Sequence, residues 1–137
     1  MKHFLFSVGI LALAGTFSAE AQTFQVQAKI PFEFHAGQKR MPAGTYTLQH
    51  SAGVLRIVKS GPSHSAAFLL VRGAIRKGRE KDGRIVFNRY GEEYFLSKLW
   101  QPNYDDGLEL PPARAEREMA RRQSRPIETA MVKLEVQ

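Results

Sequence analysis

Phe24-Gln25-Val26-Gln27-Ala28-Lys29-Ile30-Pro31-Phe32-Glu33-Phe34 is the stretch that decides the fold. Its even positions are apolar without exception, and its odd positions are Gln, Lys, Pro and Glu. A period of two marks a strand with one face in a core and the other in water. Pro31 falls on the polar side and has no N–H to give a ladder, which predicts a bulge or a sheet edge there.

Downstream the same period returns. After a polar loop from Ala36 to Arg40, Met41-Pro42-Ala43-Gly44 has the composition of a turn. Tyr46, Leu48 and His50 then alternate with Thr45, Thr47 and Gln49, and Ser51-Ala52-Gly53 leads into Val54 to Lys59, which predicts a hairpin. Ala66 to Val71 is apolar at every position, as in a central strand covered on both faces. A charged loop is expected from Arg72 to Arg84. Ile85 to Tyr90, Gly91-Glu92 and Tyr94 to Trp100 form a second hairpin, with Gly placed for a type II′ turn.

Gln101 to Gly107 is expected as loop and Leu108 to Leu110 as a short strand stopped by Pro111-Pro112. Ala113 to Ser124, rich in Ala, Arg and Glu, is the one helical segment, closed by Pro126. Ala130, Val132, Leu134 and Val136 restore the strand period in a last strand placed to pair with the first and close the sheet. The expected fold is mainly β: an antiparallel sandwich or barrel of about seven to eight strands with one helix in the C-terminal half.

The chain has 137 residues, 20 Lys+Arg against 13 Asp+Glu, a net charge of +7 and no cysteine. One domain fits this length. The missing cysteine excludes disulfides, thiolate nucleophiles and Cys-ligated zinc or iron–sulfur sites. At the start, Lys2 and His3 precede an apolar run from Phe4 to Phe17 and then Ser18-Ala19-Glu20-Ala21. That order reads as a signal peptide cleaved after Ala21, with residues 22–137 as a single β-rich domain in the periplasm or outside the cell. The run is shorter than the ~20 residues that a membrane span requires, so no transmembrane span is expected in the mature chain. Cleavage would remove Lys2 and Glu20 together and leave the charge at +7.

Ile30-Pro31-Phe32-Glu33-Phe34, Pro42-Ala43-Gly44-Thr45-Tyr46, the run Phe87 to Gly91 with Tyr94-Phe95-Leu96 and Trp100, and Leu110-Pro111 before Ala115-Glu116 form a combination of motifs. Together they resemble a family of small exported proteins of soil bacteria. The resemblance spans most of the mature chain, implies an exported β-rich domain and supplies no catalytic residue. Where that pattern leads one to expect a hydroxyl residue capping the helix, this chain has Ala113.

No complete catalytic constellation is present. There is no G-x-S-x-G elbow, and Ser63-His64-Ser65 places its neighbours on opposite faces of an extended chain in a Gly61-Pro62 turn context. Glu33 and His35 share a strand face and offer two metal ligands, with His50 or His64 as a third, but that face is the wet one and H-E-x-x-H spacing is absent. Asp105-Asp106-Gly107 is a turn signal before it is a calcium loop. Gly73, Gly78 and Gly83 around Lys77 lack the order of a phosphate loop. The sequence therefore assigns no catalytic residue, metal or cofactor.

What stands out is charge. Arg72, Arg76, Lys77, Arg79, Lys81 and Arg84 crowd one loop, and Arg114, Arg117, Arg121 and Arg125 recur at helical spacing. If loop and helix adjoin, a polyanion meets one continuous basic surface. The candidate ligand residues are Arg76, Lys77, Arg79, Lys81, Arg84, Arg117 and Arg121, with Tyr90, Tyr94 and Trp100 as a stacking platform if exposed. Three readings follow. The leading one is a non-enzymatic exported domain that binds an acidic glycan, an anionic lipid head group or another envelope protein. The second is a small hydrolase or metal-assisted enzyme using Glu33 and His35. The third is an assembly component that pairs through a sheet edge near Pro31 or the C-terminal strand. Nucleic acid is not expected, since export removes the usual target.

Overall fold

The structure, a computed structural model, describes residues 24–79, 81–123 and 126–135. The expected leader, Ser124, Arg125 and Val136 lie outside the described residues. The elements are β1 (Phe24–Ile30), β2 (Phe34–Ala36), β3 (Lys39–Met41), β4 (Gly44–Ser51), β5 (Val54–Lys59), β6 (Ala66–Leu70), β7 (Arg72–Ile75), β8 (Arg84–Tyr90), β9 (Glu93–Trp100), β10 (Asp106–Glu109), α1 (Arg114–Arg122) and β11 (Glu128–Glu135). Among the described residues no helix is long and apolar enough to cross a membrane.

The mainly β expectation holds, and the sheet is a nearly closed barrel. Its neighbours run β2, β9, β8, β11, β1, β4, β5, β6, and β10 joins β9 to β7. Since only Val71 separates β6 from β7, these are two halves of one long strand, and the wall returns on itself. The last strand meets the first at Gln27↔Glu135 and Ala28↔Leu134, and along its other side it pairs with β8. The core inside the wall includes Ile30, Phe34, Tyr46, Leu48, Ile57, Ile85, Phe87 and Leu99. Phe34 packs edge-on against both Tyr46, at 5.2 Å, and Phe87, at 5.5 Å.

Three parts of the strand map differ from expectation, each for a local reason. The alternating stretch from Phe24 to Phe34 is two strands, because Pro31 ends the β1 ladder and the chain crosses to pair with β9 and β3. Three of the five residues of the expected polar loop from Ala36 to Arg40 are thereby strand. The charged loop is shorter than expected at its start, because Arg72 to Ile75 pairs with β10, and Asp106-Gly107 lies within that pairing. Gly107 is needed for close approach: a Cβ there would lie 2.2 Å from the Trp100 ring on the neighbouring strand.

The Gly91-Glu92 hairpin forms as predicted, with Gly91 at a φ of 64°. A β-bulge changes the register between Val86 and Phe87, so that Val86 faces Lys98 while Phe87 faces Leu96 and Ser97 is passed over. Leu96 and Leu99 consequently both enter the core. Phe95 and Trp100 are buried on the opposite face, beneath His35 and Tyr90 and against Gly107 respectively.

Helix α1 is held by polarity rather than by an apolar stripe. Its buried residue is Glu116, 5% exposed, whose Oε1 accepts from Asn88 Nδ2 at 2.8 Å and from the Tyr90 hydroxyl at 3.2 Å. Its N-cap, Ala113, makes no side-chain capping bond, as the sequence leads one to expect. Ala113 has extended backbone geometry, φ −67° and ψ 159°, suited to a capping residue. Ala113→Ser is therefore expected to raise stability by about 1 kcal/mol and Tm by about 4 °C, checked by calorimetry.

Candidate binding groove

The Pro111-Pro112 pair opens the wall. The β7–β10 ladder runs to Arg72↔Glu109, and the same register continued would set Leu110 to Ala113 against Val71 to Phe68. Neither proline has an N–H, so the ladder cannot continue and the chain turns away into α1. A groove of about 580 Å³ remains between β6, the β2–β3 turn and the start of α1. Phe68, Leu69, Leu70, Leu110 and Pro111 give it an apolar lining, and Lys39, Arg114 and Arg117 stand among them.

Strand β6 is thus not the doubly covered central strand that its composition suggests. Ala67 is 5% exposed, but Phe68 is 69% and Leu70 77% exposed. The segment alternates after all; its outward positions carry apolar side chains where an ordinary barrel wall carries polar ones.

The basic residues divide into structural and free ones. Arg76 is a clamp. Its guanidinium donates to the carbonyls of Asp82 at 2.7 Å, Gln101 at 3.2 Å and Tyr104 at 3.0 Å, and lies 5.7 Å from the centre of the Trp100 ring. Lys81 pairs with Asp105, Arg72 with Glu109, and Arg84 is half-buried with Nη1 on Met131 Sδ at 3.2 Å. Lys77 and Arg79 are exposed. On the helix, Arg114, Arg117 and Arg121 are exposed along one face, and Arg114 pairs with Glu118 at 3.3 Å.

The loop and the helix do not form one surface. The clamp sits at the Arg84/Trp100 end of the β8–β9 hairpin, whereas α1 is tied to Asn88 and Tyr90 near its turn. Arg76→Ala is accordingly expected to lower stability by about 2 kcal/mol in urea unfolding and to leave retention on anions unchanged.

The stacking platform does not form. Tyr90 and Trp100 are 3% and 9% exposed, and half-buried Tyr94 stacks on Phe32 with centroids 3.9 Å apart, under the Arg89 guanidinium. These aromatics are packing groups.

Glu33 and His35 do come near one another, through an unexpected intermediary. His35 stacks on Phe95 at 4.3 Å and donates from Nε2 to Glu93 Oε2 at 2.5 Å. That bond, more than the Arg40 charge, holds the Glu93 carboxyl below the usual carboxylate range against the opposing effect of its burial. Arg40 bridges Glu93, at 2.9 Å, and Glu33, at 2.7 Å. The carboxylates thus already share a fixed cation, and His50 and His64 stand elsewhere. Among the described residues no group of three His, Asp or Glu side chains is spaced to hold a metal ion.

A second cavity of about 560 Å³ opens at the barrel mouth, between Phe24, His50, Ile75 and Leu108. Burial lowers the His50 pKa, so its imidazole is neutral at pH 7 and the mouth has no cation among its lining residues. Among the described residues, strand-edge groups, apolar side chains and exposed cations come together at the groove beside β6, where Lys39 donates to the Ala66 carbonyl, Arg114 pairs with Glu118 and Arg117 stands exposed.

Fold and groove together define a small β-barrel domain with a gap in its wall. No protein-family model, curated protein or solved structure matches the chain.

Proposed function

We propose that this chain is a non-enzymatic, exported β-barrel domain that holds an anionic component of the cell envelope against the groove between β6 and α1. The observation that carries this reading is the setting of Lys39, Arg114 and Arg117 around an apolar cleft in a chain of net charge +7. Export rests on the leader pattern of residues 1–21. The contact lies on the helix rather than on the charged loop because Arg114 and Arg117 line the apolar cleft, whereas Arg76 and Lys81 are engaged away from it.

The test is retention on immobilised acidic glycan, anionic vesicles and acidic peptide as salt is raised. Arg114→Gln with Arg117→Gln is expected to elute at markedly lower salt than the parent from at least one support, with Lys77→Gln/Arg79→Gln less affected. Equal elution of parent and helix variant from all three supports would overturn the reading.

A further inference from the structure

We infer that the groove takes an extended acidic peptide, which adds to β6 as an antiparallel strand and fills the gap left by Pro111 and Pro112. This deepens the anion-binding reading and rests on it. The β6 backbone groups point alternately to its two edges. Lys59 N–H donates to the Ser65 carbonyl at 2.8 Å, and Val71 N–H donates to the Gly53 carbonyl at 3.0 Å. Odd-numbered residues from 65 to 71 therefore spend their N–H and C=O groups on β5. Even-numbered ones turn theirs to the other edge.

Farther along the same strand that other edge is occupied by β10: Arg76 N–H, an even position, donates to the Asp105 carbonyl at 2.9 Å. At Ala66 the carbonyl accepts from Lys39 Nζ at 2.6 Å, which places this edge within the groove and shows a lysine guarding its first position. Phe68 and Leu70 follow, beyond that guard. They offer backbone donors and acceptors where the ladder is interrupted, and their exposed side chains flank the same edge. This is the arrangement by which a sheet recruits a strand: main-chain bonds supply affinity and neighbouring side chains select the sequence.

Charge selects among occupants. A second copy pairing β6 to β6 would bring two sets of Lys39, Arg114 and Arg117 together, on chains of net charge +7 each. A peptide that alternates apolar with Asp or Glu residues instead meets apolar side chains with apolar ones, offers carboxylates to exposed Arg117 and to the remaining donors of Lys39, and competes with Glu118 for Arg114.

The experiment is fluorescence anisotropy of a dye-labelled, extended peptide of alternating valine and glutamate, titrated with the protein. Of three comparison peptides, one replaces glutamate by lysine and two carry N-methyl groups on alternate amides, one in each phase. The acidic peptide is expected to bind, the lysine peptide to fail, and one N-methyl phase to weaken binding about tenfold or more while the other changes it little, because only one phase faces β6. Leu70→Pro removes an edge N–H that β5 does not use and is expected to weaken binding similarly. The N-methyl comparison keeps the test independent of whether that variant folds.

Equal binding of both N-methyl phases and the parent peptide would overturn strand addition. No peptide binding, with helix-dependent retention on acidic glycan or anionic vesicles, would overturn this inference and leave the anion-binding reading standing; no binding to any of them would remove both. Concentration-dependent dimers abolished by Leu70→Pro would assign the edge to a second copy and overturn the peptide.

Discussion

Glu116→Ala is expected to lower stability by about 2–4 kcal/mol and to free α1 from the barrel. The reason lies in what the side chain leaves behind. Asn88 Nδ2 and the Tyr90 hydroxyl both point at Glu116 Oε1, at 2.8 and 3.2 Å, and Tyr90 is 3% exposed. Truncation strands two donors where water has little access, and each unsatisfied group costs about 1–3 kcal/mol. The apolar contribution of the helix is too small to offset this, since Glu116 is its one buried residue and Met119 is only half-buried.

Chemical unfolding should show the loss. Amide hydrogen exchange along 114–122 should rise before global unfolding in the variant, because the helix is anchored at essentially one side chain. Glu118→Ala, two residues along the helix from the anchor and exposed, removes only the pair to Arg114 and is expected to change stability by less than about 0.5 kcal/mol. Equal effects at Glu116 and Glu118 would contradict the anchoring role. The same variant bears on the groove, since the anchor sets where Arg114 and Arg117 stand.

Legibility from sequence followed the locality of the cause. The period of two in β1, β4 and β5 reports a one-sided core directly, and the Gly91 turn is a two-residue matter, so both were readable. The two mixed faces between Tyr94 and Trp100 were not readable, because the bulge at Ser97 shifts the phase in mid-strand and a second layer of packing buries Phe95 and Trp100 on the outside. An apolar run such as Ala66 to Val71 says that side chains avoid charge; it does not say whether both faces are covered.

The same division runs through the site. That the helix carries an arginine stripe was visible at spacings of three and four, but that Lys39 joins it depends on a gap between strands distant in sequence. Arg76 and Lys77 are neighbours of one type and one charge. Only the three carbonyls that converge on Arg76 separate a clamp from a free cation, and carbonyl positions leave no mark on composition. Pro111-Pro112 was the legible signal for the groove: it announced the end of a strand, and what it left open on β6 followed from the pairing.

The barrel should lose stability steeply above pH 10, through two buried tyrosines. Tyr46 is fully buried, with its hydroxyl donating to the Pro42 carbonyl, and burial pushes its pKa up to about 12. Tyr90 is also pushed up to about 12, by burial first, then by the Glu116 charge and its hydrogen bond. An unfolded tyrosine ionises near 10, so the folded state keeps a proton that the unfolded state gives up. The contribution is therefore fully present below about pH 10 and is lost as pH rises from about 10 to 12, by ~2–3 kcal/mol for each residue.

Urea midpoints should be flat from about pH 7 to about pH 10 and then fall, with tyrosinate absorbance from these two residues appearing together with unfolding. Two variants separate the contributions. Tyr46→Phe should lower stability at neutral pH by about 1 kcal/mol, through the lost bond to Pro42, and yet flatten the alkaline fall, since one of the two titrating groups is gone. Glu116→Gln keeps an acceptor beside Tyr90 but removes the charge, so Tyr90 should ionise at lower pH than in the parent while Tyr46 is unmoved. If all four tyrosines titrate together near pH 10 in protein that is still folded, burial is not protecting Tyr46 and Tyr90, and the packing that places one inside the barrel and the other beneath α1 is wrong.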